Sequence, residues 1–168
     1  MSDRIAAHIT IGGALSRSML PALLKAITEA EVATSWGDAF FQPQSEKQLL
    51  AVLMNSRLWL CDDESRDGCF PDLEDACRKL GLSYTRLCEN RYEYDAEVVD
   101  WRPGMKKPLV RVGSNARNVT YVPEVQVRKV LVHLEAGRQG KAKSLLRSLC
   151  PEVPKLPPFK IVHSNAHV

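Results

Sequence analysis

Acids are nearly missing from the last third of this chain. Residues 101–168 carry 13 Lys+Arg and 3 Asp+Glu, whereas residues 1–100 carry 10 and 17. The net charge of the 168-residue chain is only +3, so the imbalance lies between its parts. Such segregation implies an anionic partner for the C-terminal part, or two parts that attract each other. Other absences narrow the class. No run approaches ~18 consecutive apolar residues, so no membrane span is expected. The opening residues MSDRIAAHITIGG lack an apolar segment with a cleavage site, which argues against secretion and for a cytoplasmic location. No C-x-x-C pair occurs. The five cysteines (Cys61, Cys69, Cys77, Cys88 and Cys150) are odd in number, and their spacing matches no common zinc site. Reduced thiols are the expectation.

Motifs for small-molecule chemistry are also scarce. Ile9, Ile11, Gly12 and Gly13 run into Ser16 and a helix-like segment, the layout of a phosphate cradle. The lysine of a P-loop is absent, and so is the G-x-G-x-x-G of a dinucleotide site. The stretch reads instead as a tight strand-to-helix corner with Ser16 as N-cap. Asp62, Asp63 and Glu64 end a strand-like run, where carboxylates hold Mg²⁺ in phosphoryl-transfer enzymes. Adjacent strand residues point to opposite faces, so a solvated acidic loop is the simpler reading. His8, His133, His163 and His167 are scattered and show no metalloprotease spacing. No catalytic residue, cofactor or metal is assigned.

What is present is periodic. Residues 7–12, 57–61, 82–88, 96–102, 108–112 and 119–122 read as strands. Helices are expected from about Ser16 to Val32, from Ser45 with an S-x-x-Q capping box, and over about Pro71–Leu80. Two more follow, striped by Val127, Val130, Leu131 and Leu134 and by Ala142, Leu145, Leu146 and Leu149. The order predicts an α+β two-layer sandwich, mostly antiparallel sheet packed by helices, ferredoxin-like or related. Residues 1–150 read as one domain, acidic over 1–100 and basic over 101–150, with 151–168 a proline-rich extended tail.

The strongest functional signal is the basic part. Arg102, Lys106, Lys107, Arg111 and Arg117 cluster around a turn and a hairpin, and Arg128 and Lys129 follow on a helix. Beside them, Arg91, Tyr92, Tyr94 and Trp101 are residue types enriched at protein–protein hot spots. These eleven positions form the expected partner-binding surface. The partner is a protein or nucleoprotein complex, or a nucleic-acid backbone gripped through its phosphates.

Two stretches, ITIGGALSRSMLPALLKAI and ENRYEYDAEVVDWRPG, resemble the small proteins of bacteriophages and mobile elements, a group that includes anti-CRISPR proteins. The resemblance implies a compact non-enzymatic protein that inhibits a host nucleoprotein defence complex by steric occlusion. A nucleic-acid-binding module and a metal-dependent phosphoryl-transfer enzyme are the alternatives.

Overall fold

The computed structural model describes residues 3–89, 95–114, 119–120 and 122–163. Strand β1 (Arg4–Ser16) leads through a 3-10 turn (Arg17–Met19) into α1 (Leu20–Glu29). Next come α2 (Glu46–Ala51), β2 (Leu53–Met54), β3 (Arg57–Arg66), α3 (Pro71–Lys79) and β4 (Ser83–Cys88). The chain continues with β5 (Ala96–Trp101), β6 (Leu109–Ser114), β7 (Val119–Thr120), α4 (Glu124–Glu135), α5 (Gln139–Leu149) and β8 (Phe159–Val162). The sheet order is β2-β3-β1-β4-β5-β6-β7, antiparallel at every step. The fold is therefore α+β, with helices layered on a mostly antiparallel sheet. Its parallel pair is β1 with β8.

Alternation along β1 sorts its side chains. Ile5, Ala7, Ile9 and Ile11 are buried in the core with Leu23 and Ile27 of α1 and Leu73 and Cys77 of α3. His8 and Thr10 point to the opposite face, as the period of two requires. Pro21 lies in the first turn of α1, where its missing N–H costs nothing. The helix starts later than expected because Arg17–Met19 form the tighter 3-10 turn. Ser45 caps α2 as its sequence implies, accepting from Gln48 N–H at 3.3 Å. Gln48 Oε1 in turn accepts from Gln44 N–H at 2.6 Å rather than from the cap residue itself.

Three expectations are corrected. The acidic stretch Asp62–Asp63–Glu64 is not a loop. It lies within β3, which stays paired to β1 as far as Arg66 across a bulge between Ile5 and Ala7. The glycine pair is not a strand-to-helix corner either, since both glycines lie inside β1. A Cβ at Gly12 would stand 2.0 Å from the Pro157 carbonyl oxygen, and Gly13, at φ +116°, donates its N–H to Pro158 O at 3.1 Å. The glycines exist for the approach of the tail. That tail is extended, as its prolines require, but it folds back: Phe159 enters the core and β8 pairs with Gly13–Ser16. Third, the apolar stripe of α4 is not a core face. Val130 and Ala142 are buried where α4 and α5 pack on each other, while Val127, Leu131 and Leu134 remain 45%, 49% and 46% exposed. No helix among the described residues is long and apolar enough to cross a membrane.

Candidate functional site

The expected surface separates into an interior part and an exposed part. Arg102 is only 6% exposed. Its guanidinium donates to Tyr84 O at 2.6 Å, Trp101 O at 2.8 Å, Pro154 O at 3.0 Å and Thr85 Oγ1 at 3.1 Å. Its charge is met by Asp100, equally buried, whose other oxygen pairs with Arg111. Cross-strand register explains the cluster, because Thr85 faces Asp100 and Val98 faces Arg111. Arg57 adds a second clamp, donating twice to Leu156 O at 2.7 and 3.0 Å. Arg102 and Arg57 thus hold tail carbonyls against the sheet, and Arg102 is not available to a partner. Trp101 is half-buried against the core. Arg91, Tyr92, Tyr94 and Arg117 lie outside the described residues.

Lys106 and Lys107 are exposed in the turn between β5 and β6, and Arg128 and Lys129 are exposed on α4. The last two belong to a larger unit. The α4–α5 hairpin, hereafter the arm, carries Arg128, Lys129, Arg138, Lys141, Lys143 and Arg147 against Glu124 and Glu135. Its one ion pair among the described residues is internal, Arg128 to Glu124 at 2.5 Å. Val125, Val132 and Leu146 are exposed beside the uncovered stripe of Val127, Leu131 and Leu134. A solvated helix normally shows a charged outer face, so apolar residues this dense on a basic hairpin mark a contact surface.

The second surface is acidic and was read from the sequence only as a loop. Two adjoining crevices of about 410 and 260 Å³ flank β3 and share Asp62, Glu64 and the exposed ring of Phe40. Asp38 and Asp63 complete the smaller one, which contains no basic residue. Asp63 accepts from Gly37 N–H at 2.7 Å and Asp62 from Glu64 N–H at 2.9 Å. These bonds order the carboxylates without neutralising them. No three His, Cys, Asp or Glu side chains among the described residues are placed to share a metal ion. The carboxylate field is felt by Cys61, whose thiol is pushed up to about 12 by burial and by Asp63, Asp62 and Asp38. Burial likewise raises Cys77 and Cys69. All five cysteines are free, and these three are held as thiols rather than thiolates.

An aromatic cluster went unnoticed in the sequence because its members are far apart there. His8, Trp36 and Trp59 meet on the sheet face opposite the helices, with ring centroids 5.5 to 6.2 Å apart. The only local signal was that His8 and Trp59 occupy outward positions of alternating strands. Burial holds His8 below its ordinary value of 6.5. The unfolded chain therefore takes up this proton first as pH falls. The stability owed to neutral His8 is complete above about pH 6.5 and is lost as pH drops through the lower folded-state value. Melting temperature is expected to fall on acidification from roughly pH 7 to 5.5. In His8→Gln the fall should be shallower; an unchanged slope would remove His8 as its cause.

No protein-family model, curated protein or solved structure matches the chain.

Proposed function

We propose that this chain is a non-enzymatic binding protein that engages an acidic protein surface through the α4–α5 arm. The observation that carries this reading is the uncovered stripe of Val127, Leu131 and Leu134 on a hairpin with six Lys and Arg and two Glu. Apolar side chains supply contact area, and the surrounding charge selects an acidic partner and speeds encounter. Each half-exposed Val or Leu still has about 1 kcal/mol of burial to offer, half its full transfer value. A phosphate backbone offers nothing for those side chains to pack on, which favours protein over nucleic acid as the primary contact. The narrower form, inhibition of a host nucleoprotein defence complex by occlusion, draws on the resemblance of two sequence stretches. In that form the acidic surface belongs to such a complex.

The test compares the full chain with a Leu131→Asp, Leu134→Asp variant in affinity capture from lysate of the source cells, read by mass spectrometry. Both residues are exposed, so the variant is expected to fold with a stability within about 0.5 kcal/mol of the parent. A protein retained by the parent and depleted at least ~10-fold by the variant supports the reading; one kcal/mol or more of lost contact corresponds to that range. Identical retained sets overturn it. Oligonucleotide binding that weakens steeply with salt and survives both substitutions would move the assignment to nucleic acid.

A further inference from the structure

The arm and the acidic groove along β3 are complementary, and they belong to the same molecule. Among the described residues no ion pair joins them: the basic residues of the arm pair only with Glu124, and Asp38, Asp62, Asp63 and Glu64 pair with no Lys or Arg. The charge segregation written into the sequence is therefore not used up in folding. Two parts that attract each other remain unpaired within one molecule.

We propose that the free protein self-associates, with the α4–α5 arm of one copy seated in the acidic groove beside β3 of a second copy. The inference rests on the reading of the arm as a contact surface and names what occupies it before another partner arrives. Charge selects this pairing over its rivals. Arm against arm would bring two sets of six cations together, and groove against groove would oppose two sets of carboxylates. Arm against groove matches Lys141, Lys143 and Arg147 of α5 to Asp62, Asp63 and Glu64 of β3. Apolar groups are available on both sides, Leu131, Leu134 and Leu146 on the arm and the Phe40 ring at the junction of the two crevices. The chain as a whole opposes association little, because its net charge is only +3. The contact is heterologous: the two patches differ, so each copy offers one of each. A foreign acidic partner would bind the arm by displacing the groove, and self-association would then act as a competitor for the binding surface.

Sedimentation velocity on the full chain tests this. Between about 1 and 200 μM, a span covering micromolar affinities, the weight-average mass is expected to rise above the 18.8 kDa monomer at low salt. It should return to the monomer when ionic strength is raised from about 50 to 500 mM, because screening shortens the reach of exposed charges. Two charge-reversed chains sharpen the reading. One carries Lys141→Glu, Lys143→Glu and Arg147→Glu; the other carries Asp62→Lys, Asp63→Lys and Glu64→Lys. Each alone is expected to be monomeric, and a mixture should form a 1:1 complex of twice the monomer mass, since it restores one intact arm and one intact groove. Wild-type protein that stays monomeric throughout overturns the proposal, and needs no variant to fold. Association that persists in the groove-reversed chain overturns it as well, as does a mixture of two folded variants that does not associate. A monomeric wild type that still loses a captured partner through Leu131→Asp, Leu134→Asp would refute self-association and leave the proposed function standing.

Discussion

Gly12→Val is expected to lower stability by about 3 kcal/mol, at the upper end of what overpacking a filled interior costs. For a chain of this length that is roughly a 10 °C fall in melting temperature. The reason is backbone against backbone: the first added carbon would lie 2.0 Å from Pro157 O, and a carbonyl cannot rotate aside as a side chain can. Relief requires the tail to lift. Lifting it breaks the Gly13–Pro158 bond, the β1–β8 pairing and the two bonds from Arg57 to Leu156, and it pulls Phe159 from the core. Limited trypsin digestion gives an independent readout, with cleavage at Lys155 and Lys160 faster in the variant. Gly140→Ala is the control. Gly140 lies in α5 with nothing within 4 Å of its added carbon, so this change is expected to stabilise by about 0.5 kcal/mol through loss of unfolded-chain freedom. A Gly12→Val protein that melts with the parent and keeps its tail protected would refute the close approach.

Arg102→Met carries the second large effect, an expected loss of about 3–5 kcal/mol in urea denaturation. Removing this guanidinium strips a buried cation from Asp100 and leaves the Tyr84 and Pro154 carbonyls without their donor. Arg111 still pairs with Asp100, which keeps the loss toward the lower end of that range. Replacing the acid as well, in Arg102→Met with Asp100→Leu, is expected to recover part of the loss, because no buried charge is then left uncompensated. The neighbouring substitutions Lys106→Glu and Lys107→Glu touch exposed side chains and should shift stability by no more than about 0.5 kcal/mol. Equal, small effects at all three positions would return Arg102 to the surface role its sequence neighbourhood suggested.

That contrast shows where sequence reasoning runs out. Arg102, Lys106 and Lys107 stand within six residues of one another and look alike in the chain. What separates them is a carbonyl 52 residues away at Pro154 and a buried acid reached by register across β4, β5 and β6. The glycine pair is a similar case. The need for a missing side chain was visible, but its cause, the return of a proline-rich tail about 145 residues later, was not. Of the candidate surface, Arg128 and Lys129 hold their place on the exposed arm, and the acidic groove was recognised by charge but not by form. The same residues that read as a loop become strand because β1 extends beyond its alternating run and keeps β3 paired beside it.

The amino-acid sequence by itself determined the α+β class, the positions of most helices and strands, the cap of α2 and the segregation of charge. These are local or compositional properties: a period of 3.6 or 2, a capping spacing, a count of acids and bases. Only the tertiary structure decided which apolar faces are covered. Leu73 and Cys77 of α3 enter the core, while the equally periodic Val127, Leu131 and Leu134 of α4 do not, because the sheet face and helix that bury α3 have no counterpart over the arm. Periodicity states that a helix has an apolar side. Whether that side meets this chain or another depends on residues far from it in sequence, and here it leaves the arm open for a partner.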